Sequence, residues 1–298
     1  MSMCIYHGNC ADGFGAAWVV RKALGEIDFH PGKYQEPPPD VTGKDVVMVD
    51  FSYKRPVLLE MSGKANSILI LDHHKTAAED LLDLPANVTA KFDMGHSGAM
   101  LTWEHFFPGE APPPLLLHIE DRDLWRFALQ NTRQIQANVF SFPYDFQVWD
   151  TLMAAAPATL VAEGEAIERK HFKDMRELLG VTTREMVISG HRVPVANLPY
   201  TMSSDAGHEM AKGQPFAACY WDTPKGRVFS LRSNDDGTDV SEVAKQYGGG
   251  GNRNASGFTV SFAQAQAFEV LTHNAELTRG VTTPDECAAD NPSNRALG

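Results

Sequence analysis

Three short apolar runs in the first third of the chain each end on a residue able to bind a metal or move a proton. Met3–His7 closes on His7, Asp45–Asp50 on Asp50, and Ser67–Asp72 on Asp72. Asp12 lies just past the first run, and His73 and His74 follow the third directly. In an open parallel sheet, ligands bind beyond the carboxyl ends of the strands. Three such strands would therefore bring carboxylates and imidazoles to one edge. Hard oxygen donors mixed with imidazole nitrogens suit Mn²⁺, Mg²⁺ or Fe²⁺. Two such ions close together can activate a water and offset the charge of a phosphate in the transition state. Asp50 is also placed to cap the helix that follows it, a role compatible with ligation.

The elements that would position these groups read as α/β. Continuous apolar strands alternate with helical spacing, the pattern of a parallel sheet with crossover helices. After Met3–His7, the residues Phe14, Ala17, Trp18, Arg21 and Leu24 recur at helical intervals. Pro56–Met61 reads as a helix with proline in its first turn, and Ser97–Phe107 and Pro114–Trp125 read as two more. A long helix is predicted over Ala158–Leu179, ending at Gly180 and connecting two domains. Beyond it the strands shorten. Glu185–Ile188 and Val193–Asn197 flank the turn Ser189-Gly190, Phe216–Trp221 and Arg227–Leu231 form another hairpin, and Gly257–Phe262 is a last strand after a helix near Val240–Tyr247. The tail after about residue 280 is polar and reads as loose.

The chain has 298 residues, of which 43% are hydrophobic and 21% charged, enough for two ordinary cores. Cys4, Cys10, Cys219 and Cys287 are scattered and show no zinc or redox spacing. With no membrane-length apolar run and no basic-then-apolar leader, the chain reads as cytoplasmic and without a membrane partner. Its net charge of −12 comes from 38 acidic and 26 basic residues. Such a charge releases few counterions from a long phosphate backbone, so duplex DNA is excluded as a partner in favour of a small substrate.

Six segments in order resemble the motifs of one known family, the DHH phosphoesterase superfamily. HGNCADGFGAA (7–17), VVMVDFS (46–52), ILDHHKT (70–76) and IEDRDLW (119–125) resemble its catalytic domain. FSLRSN (229–234) and GGGGNRNASGF (248–258) are similar to its accessory DHHA1 domain. The resemblance implies a parallel-sheet DHH domain over 1–155, a connecting helix over 156–180, and a smaller α/β DHHA1 domain over 181–298, with the active site in the cleft. It also implies His7, Asp12 and His73 as metal ligands, Asp50 bridging two metals, and His74 facing the scissile phosphate. Asp121 fits the fourth-motif ligand because Trp125 and Phe127 follow at the family's offsets, with Asp123 as the second candidate. Arg232, Gly250, Gly251, Asn252, Arg253 and Asn254 would hold the substrate.

The chain departs from the family at Cys10, commonly Asp, and at Asn252, commonly His. Cys10 either ligates as a thiolate, which shifts preference away from Mg²⁺, or packs as a small hydrophobe and leaves one metal site weaker. The implied activity is phosphodiester hydrolysis, with two Mn²⁺ expected, on a short single-stranded oligonucleotide, as by an exonuclease, or on a small nucleotide. The alternatives are phosphomonoester hydrolysis of a nucleoside bisphosphate, and nucleotide binding without cleavage. Hydrolysis of an artificial diester separates the last from the others.

Overall fold

The computed structural model describes residues 2–34 and 36–268. The tail beyond residue 280, expected to be loose, lies outside them, as does Cys287. In chain order the first half comprises β1 (Ser2–His7), α1 (Ala11–Leu24), β2 (Asp28–Gly32), β3 (Asp45–Val49), α2 (Arg55–Ser62), β4 (Ser67–Asp72), α3 (Lys75–Asp80), β5 (Val88–Phe92), α4 (Gly98–Phe106), α5 (Pro114–Asp123), α6 (Thr132–Val139) and α7 (Phe146–Ala154). The long α8 (Pro157–Thr182) leads to β6 (Thr183–Ile188), β7 (His191–Asn197), α9 (Ser203–Met210), β8 (Ala217–Thr223), β9 (Gly226–Arg232), α10 (Val240–Lys245), β10 (Gly250–Asn252) and β11 (Ala255–Val260).

The first sheet has five strands in the order β2-β1-β3-β4-β5, and every pairing is parallel. Helices cover both faces, so its central strands are apolar throughout rather than alternating. Cys4, Val47, Val49 and Leu71 face the core shared with α1, α4, α5 and α7. Ile5, Met48, Ile68 and Ile70 face the opposite core under α2. Two strands of this sheet escape the sequence reading, and both are rims. β2 carries Pro31, which an edge strand tolerates, and β5 alternates buried with exposed residues.

The second sheet runs β10-β11-β9-β8-β7-β6 and is antiparallel except for the parallel pair β7–β8, which α9 connects. One face buries Phe216, Phe229, Leu231 and Phe258. The other buries Ala196, Leu198 and Cys219 against Ala206 of α9 and Met175 of α8. Because α8 places Leu160 in the first core and Met175 here, one helix is anchored in both halves. The last two glycines of the run Gly248–Gly251, with Asn252, form the edge strand β10. Gly251 has φ 138°, and a Cβ there would lie 2.6 Å from the carbonyl oxygen of Ala255. Only glycine permits so tight a hairpin. No helix among the described residues is long and apolar enough to cross a membrane.

Candidate metal centre

The strand order reverses between β1 and β3, the position where doubly wound sheets open a crevice for ligands. His7 ends β1 at that point, and Asp50 follows β3 with a left-handed backbone, φ 53°. Asp tolerates this conformation better than most residues. Asp50 is 1% exposed, yet neither of its carboxylate oxygens has a hydrogen-bond partner among the described residues. His73 Nε2 lies 3.1 Å from its Oδ1 and His7 Nδ1 lies 3.4 Å from its Oδ2. Burial would push the Asp50 carboxyl up, but the two imidazoles outweigh it and hold the group far below the usual carboxylate range.

Two groups of donors can each converge on a cation. His7, Asp50 and His74 form one, and Asp12, Asp50 and His73 the other, with the donor atoms of each group within 4.8 Å of one another. Asp50 is common to both. Asp12, in the first turn of α1, accepts hydrogen bonds from the amides of Gly98 at 2.6 Å and Ala99 at 3.0 Å. These are among the free N–H groups that begin α4. Gly98 permits the approach, since a Cβ there would lie 2.4 Å from the Cβ of Asp50. Burial, then the charges of Asp50 and Asp123, push the Asp12 carboxyl well up. His73 is raised the other way: burial opposes its protonation, but Asp123, Asp50 and Asp12 favour it more strongly.

His74 is held from behind. Its Nδ1 lies 2.7 Å from Asp72 Oδ1, which also accepts from the amides of His73 and His74, while Asp72 Oδ2 accepts from Ser52 Oγ at 2.6 Å. The fully bonded Asp72 thus fixes an imidazole whose Nε2 this bond leaves free.

One expected ligand needs correction. Asp121 is buried, but it accepts from the amides of Ala128 and Leu129 and from Thr132 Oγ1, so its carboxylate ties the turn between α5 and α6 instead of reaching the centre. Asp123 stands there in its place, with Oδ2 3.5 Å from His73 Nε2. A sequence signal for this existed. Leu116, Ile119 and Asp123 recur at helical spacing, and the first two are core residues. Trp125 and Phe127, which pointed to Asp121, serve the turn itself: both have left-handed backbones, and Trp125 stacks on His208 of α9 at 3.7 Å and 12°. Cys10 precedes α1, half-buried, and belongs to neither donor group. Burial and the charges of Asp50, Asp123 and Asp12 push its thiol well up.

The expected substrate residues separate. Asn252 Oδ1 accepts from the amide of Lys75 at 2.8 Å, and the amide of Gly251 donates to Thr76 Oγ1 at 3.0 Å, so β10 is docked on the start of α3 beside His74. Gly250 packs there too, where a Cβ would meet Thr76 Oγ1 at 2.7 Å. Lys75 Nζ extends the junction to Asp239 at 2.7 Å. Arg253 and Asn254 turn away and bond the loop around Asp235. Among the described residues, Arg232 donates only to neutral oxygens, those of Ser230, Leu231 and Ser204. Burial, with the like charge of Arg122 adding, pushes its guanidinium down to about 10.

No family model matches the chain. It is 30% identical over 287 residues to the uncharacterized protein R106 of Acanthamoeba polyphaga mimivirus, covering 88% of this chain and 68% of that one. Among solved structures, it is similar to the DHH domain of a member of a family of ribosomal proteins, with TM-score 0.60 and 14% identity over 93% of this chain and 86% of that one. It is also similar to RecJ of Thermus thermophilus, solved in complex with Mn²⁺, with TM-score 0.52 and 14% identity over 93% of this chain and 52% of RecJ. With Asp72, His73 and His74 seated at the carboxyl edge of this sheet, the chain belongs to one family with mimivirus R106 and shares the fold of these DHH-domain structures.

Proposed function

We propose that the chain is a metal-dependent phosphoesterase acting on small nucleotide substrates, with short oligonucleotides and nucleotide diesters as the leading class. The observation that carries this is Asp50, a buried carboxylate with both oxygens unbonded, shared by two donor groups at the switch point of the sheet. A buried carboxylate needs a positive partner, and a divalent cation is one that these oxygen and imidazole donors fit. His7, Asp12, Asp50, His73 and Asp123 would hold such ions. When bound, they would supply Lewis acidity toward a phosphoryl oxygen and a lowered pKa for a water.

The chain's own groups supply the rest. Asp72 orients His74 so that its Nε2 is available to a phosphate, and Ser52 fixes Asp72 in turn. Asp12 ties α1 to the start of α4, which holds Gly98 against Asp50. The junction of Lys75, Thr76, Gly251 and Asn252 sets the second sheet beside His74, and Arg232, with no carboxylate in ion-pairing distance among the described residues, offers a cation to the substrate. Binding there aids the reaction when it places the phosphate against His74 and the carboxylates.

Mn²⁺ is the first ion to test, because mixed nitrogen and oxygen donors suit it better than Mg²⁺. The protein is stripped with a chelator, reloaded with Mn²⁺, Mg²⁺ or Fe²⁺, and assayed on bis-p-nitrophenyl phosphate, dinucleotides, cyclic dinucleotides and nucleoside bisphosphates. Hydrolysis that vanishes with the metal and returns with Mn²⁺ is expected. Folded, metal-loaded protein inactive on the whole panel would overturn the proposal, and activity on bisphosphates alone would favour a phosphomonoesterase.

A further inference from the structure

Beside the carboxylates lies a cavity of about 620 Å³, within the range that holds a small organic ligand. Cys10, Asp12 and Asp123 form one end, so it opens directly on the candidate centre. Much of its wall is aromatic and comes from the segment after α6 and from the turn before α9. Phe140 is 46% exposed and Tyr200 52%, which leaves two large rings bare within a concavity. Aromatic rings that line a concavity beside a few polar groups are the usual make-up of a ligand pocket. Two cations line the same space. Arg133 is committed: it is ion-paired with Asp205 at 3.2 Å and lies 3.7 Å over Phe127. Arg122 is not. Among the described residues its guanidinium has no hydrogen-bond or ion-pair partner and rests only over the rings of Phe140, at 4.8 Å, and Trp125, at 5.5 Å. It is also the residue before Asp123, at the boundary between the acidic end and the aromatic wall.

We infer that this cavity seats a nucleoside monophosphate unit of the substrate, its base against the aromatic wall at Phe140 and Tyr200 and its phosphate between Arg122 and the carboxylate cluster. The inference rests on the phosphoesterase reading and names the part of the substrate that this side of the centre recognises. Every nucleobase has a face to stack on an aromatic ring, so such a wall accepts a base with little regard to its identity. A planar guanidinium supported on rings presents its donor fork to a phosphate, and a guanidinium with no carboxylate partner has that fork free. An aliphatic phosphate ester would leave the rings without a partner, and an uncharged aromatic compound would leave Arg122 without one. A nucleotide satisfies both.

The test is calorimetric titration of the full metal-loaded chain with adenosine 5′-monophosphate, adenosine and ribose 5-phosphate. Wild type should bind the nucleotide at least roughly tenfold more tightly than the abasic sugar phosphate, the scale of one stacked base. Phe140→Ala, and Phe140→Leu as the variant that keeps apolar volume, should weaken nucleotide and nucleoside alike, by roughly fivefold to a hundredfold for the alanine. Arg122→Gln should weaken the nucleotide and leave adenosine unchanged. Equal affinity for nucleotide and sugar phosphate in wild type, absence of binding, or Phe140 variants that keep the wild-type preference would each overturn the inference. Hydrolysis of bis-p-nitrophenyl phosphate by wild type, measured alongside, separates the two ideas. Metal-dependent hydrolysis without a base preference removes the pocket alone. A base preference without hydrolysis under any metal removes the phosphoesterase reading alone.

Discussion

Around Asp50, the parallel sheet crowds Asp12, Asp123, His7 and His73 into a space where Asp12 and Asp123 have their carboxyls pushed up. On the mixed sheet, Arg232 apart, charge stays at the rim and meets its opposite: Arg192 pairs with Glu185 at 2.6 Å and Arg227 with Asp222 at 2.8 Å. The interior of that sheet is a set of rings and aliphatic side chains, among them the stacked pairs Phe229–Phe258 and Tyr247–Phe258. The first region holds its charges only because two apolar cores, one on each face of the sheet, fix the strands that carry them. The second, away from Arg232, rests on its own packing. The molecule therefore departs from its most stable arrangement at one sheet edge, and a cation would turn the departure into a binding energy.

The largest effect should come from removing the shared carboxylate. Asp50→Ala and His73→Ala should each lower phosphoester hydrolysis by roughly a hundredfold to a thousandfold while the far-ultraviolet circular dichroism stays that of wild type. Adding Mn²⁺ to stripped wild type should raise its melting temperature, by about 2.7 kcal/mol of stabilisation at a hundred times the dissociation constant. Neither variant should gain as much. Folded variants with near-normal turnover would erase the contrast between the two regions.

Next, the two aspartates of α5 should behave in opposite ways. Asp121→Ala leaves two amides and a hydroxyl without their acceptor, and should cost about 2–4 kcal/mol in denaturant unfolding without changing metal stoichiometry. Asp123 carries a folded-state carboxyl raised by burial, with the charge of Asp50 adding, so its ionised form opposes folding when no metal is bound. Asp123→Asn should therefore melt higher than wild type in chelator yet bind Mn²⁺ at least roughly tenfold more weakly. The reverse pattern would restore Asp121 as the ligand.

A smaller effect sharpens the comparison at the seam between the halves. His208, stacked on Trp125, has its imidazole pushed down to about 4 by burial, with Arg232 adding, from an ordinary value of 6.5. Between those values the unfolded chain takes up a proton that the folded chain refuses, so stability falls as pH drops from 6.5 toward 4 and this contribution is flat below. The denaturant midpoint of wild type should fall further between about pH 7 and about pH 5 than that of His208→Gln. Equal slopes would show that His208 titrates freely.

The least effect belongs to the rim. Glu209→Ala breaks a surface pair with Lys212 and should shift unfolding by less than about 0.5 kcal/mol, as read from the urea midpoint. A larger loss would mean that rim charges carry more of the second half than its packing implies.

Much of the centre was legible because a buried strand is a local pattern, and a polar residue at its end announces itself. His7, Asp50, Asp72, His73 and His74 were found in that way, and the central strands with them. The rims were not legible, since β2 and β5 face solvent in part and lack a continuous apolar run. Gly250 and Gly251 were expected only to hold substrate. The hairpin they form, pressed on Thr76, depends on a residue far away in the chain.

That carboxylates and imidazoles would gather beyond a parallel sheet was already written in the order of the residues, because strand direction and strand ends are properties of neighbours along the chain. Which aspartate of α5 joins them was settled in three dimensions. Residues two apart on a helix point in nearly opposite directions. Whether Asp121 or Asp123 faces His73 was set by how α5 lies against α1 and by the turn that claims the other carboxylate for its own amides.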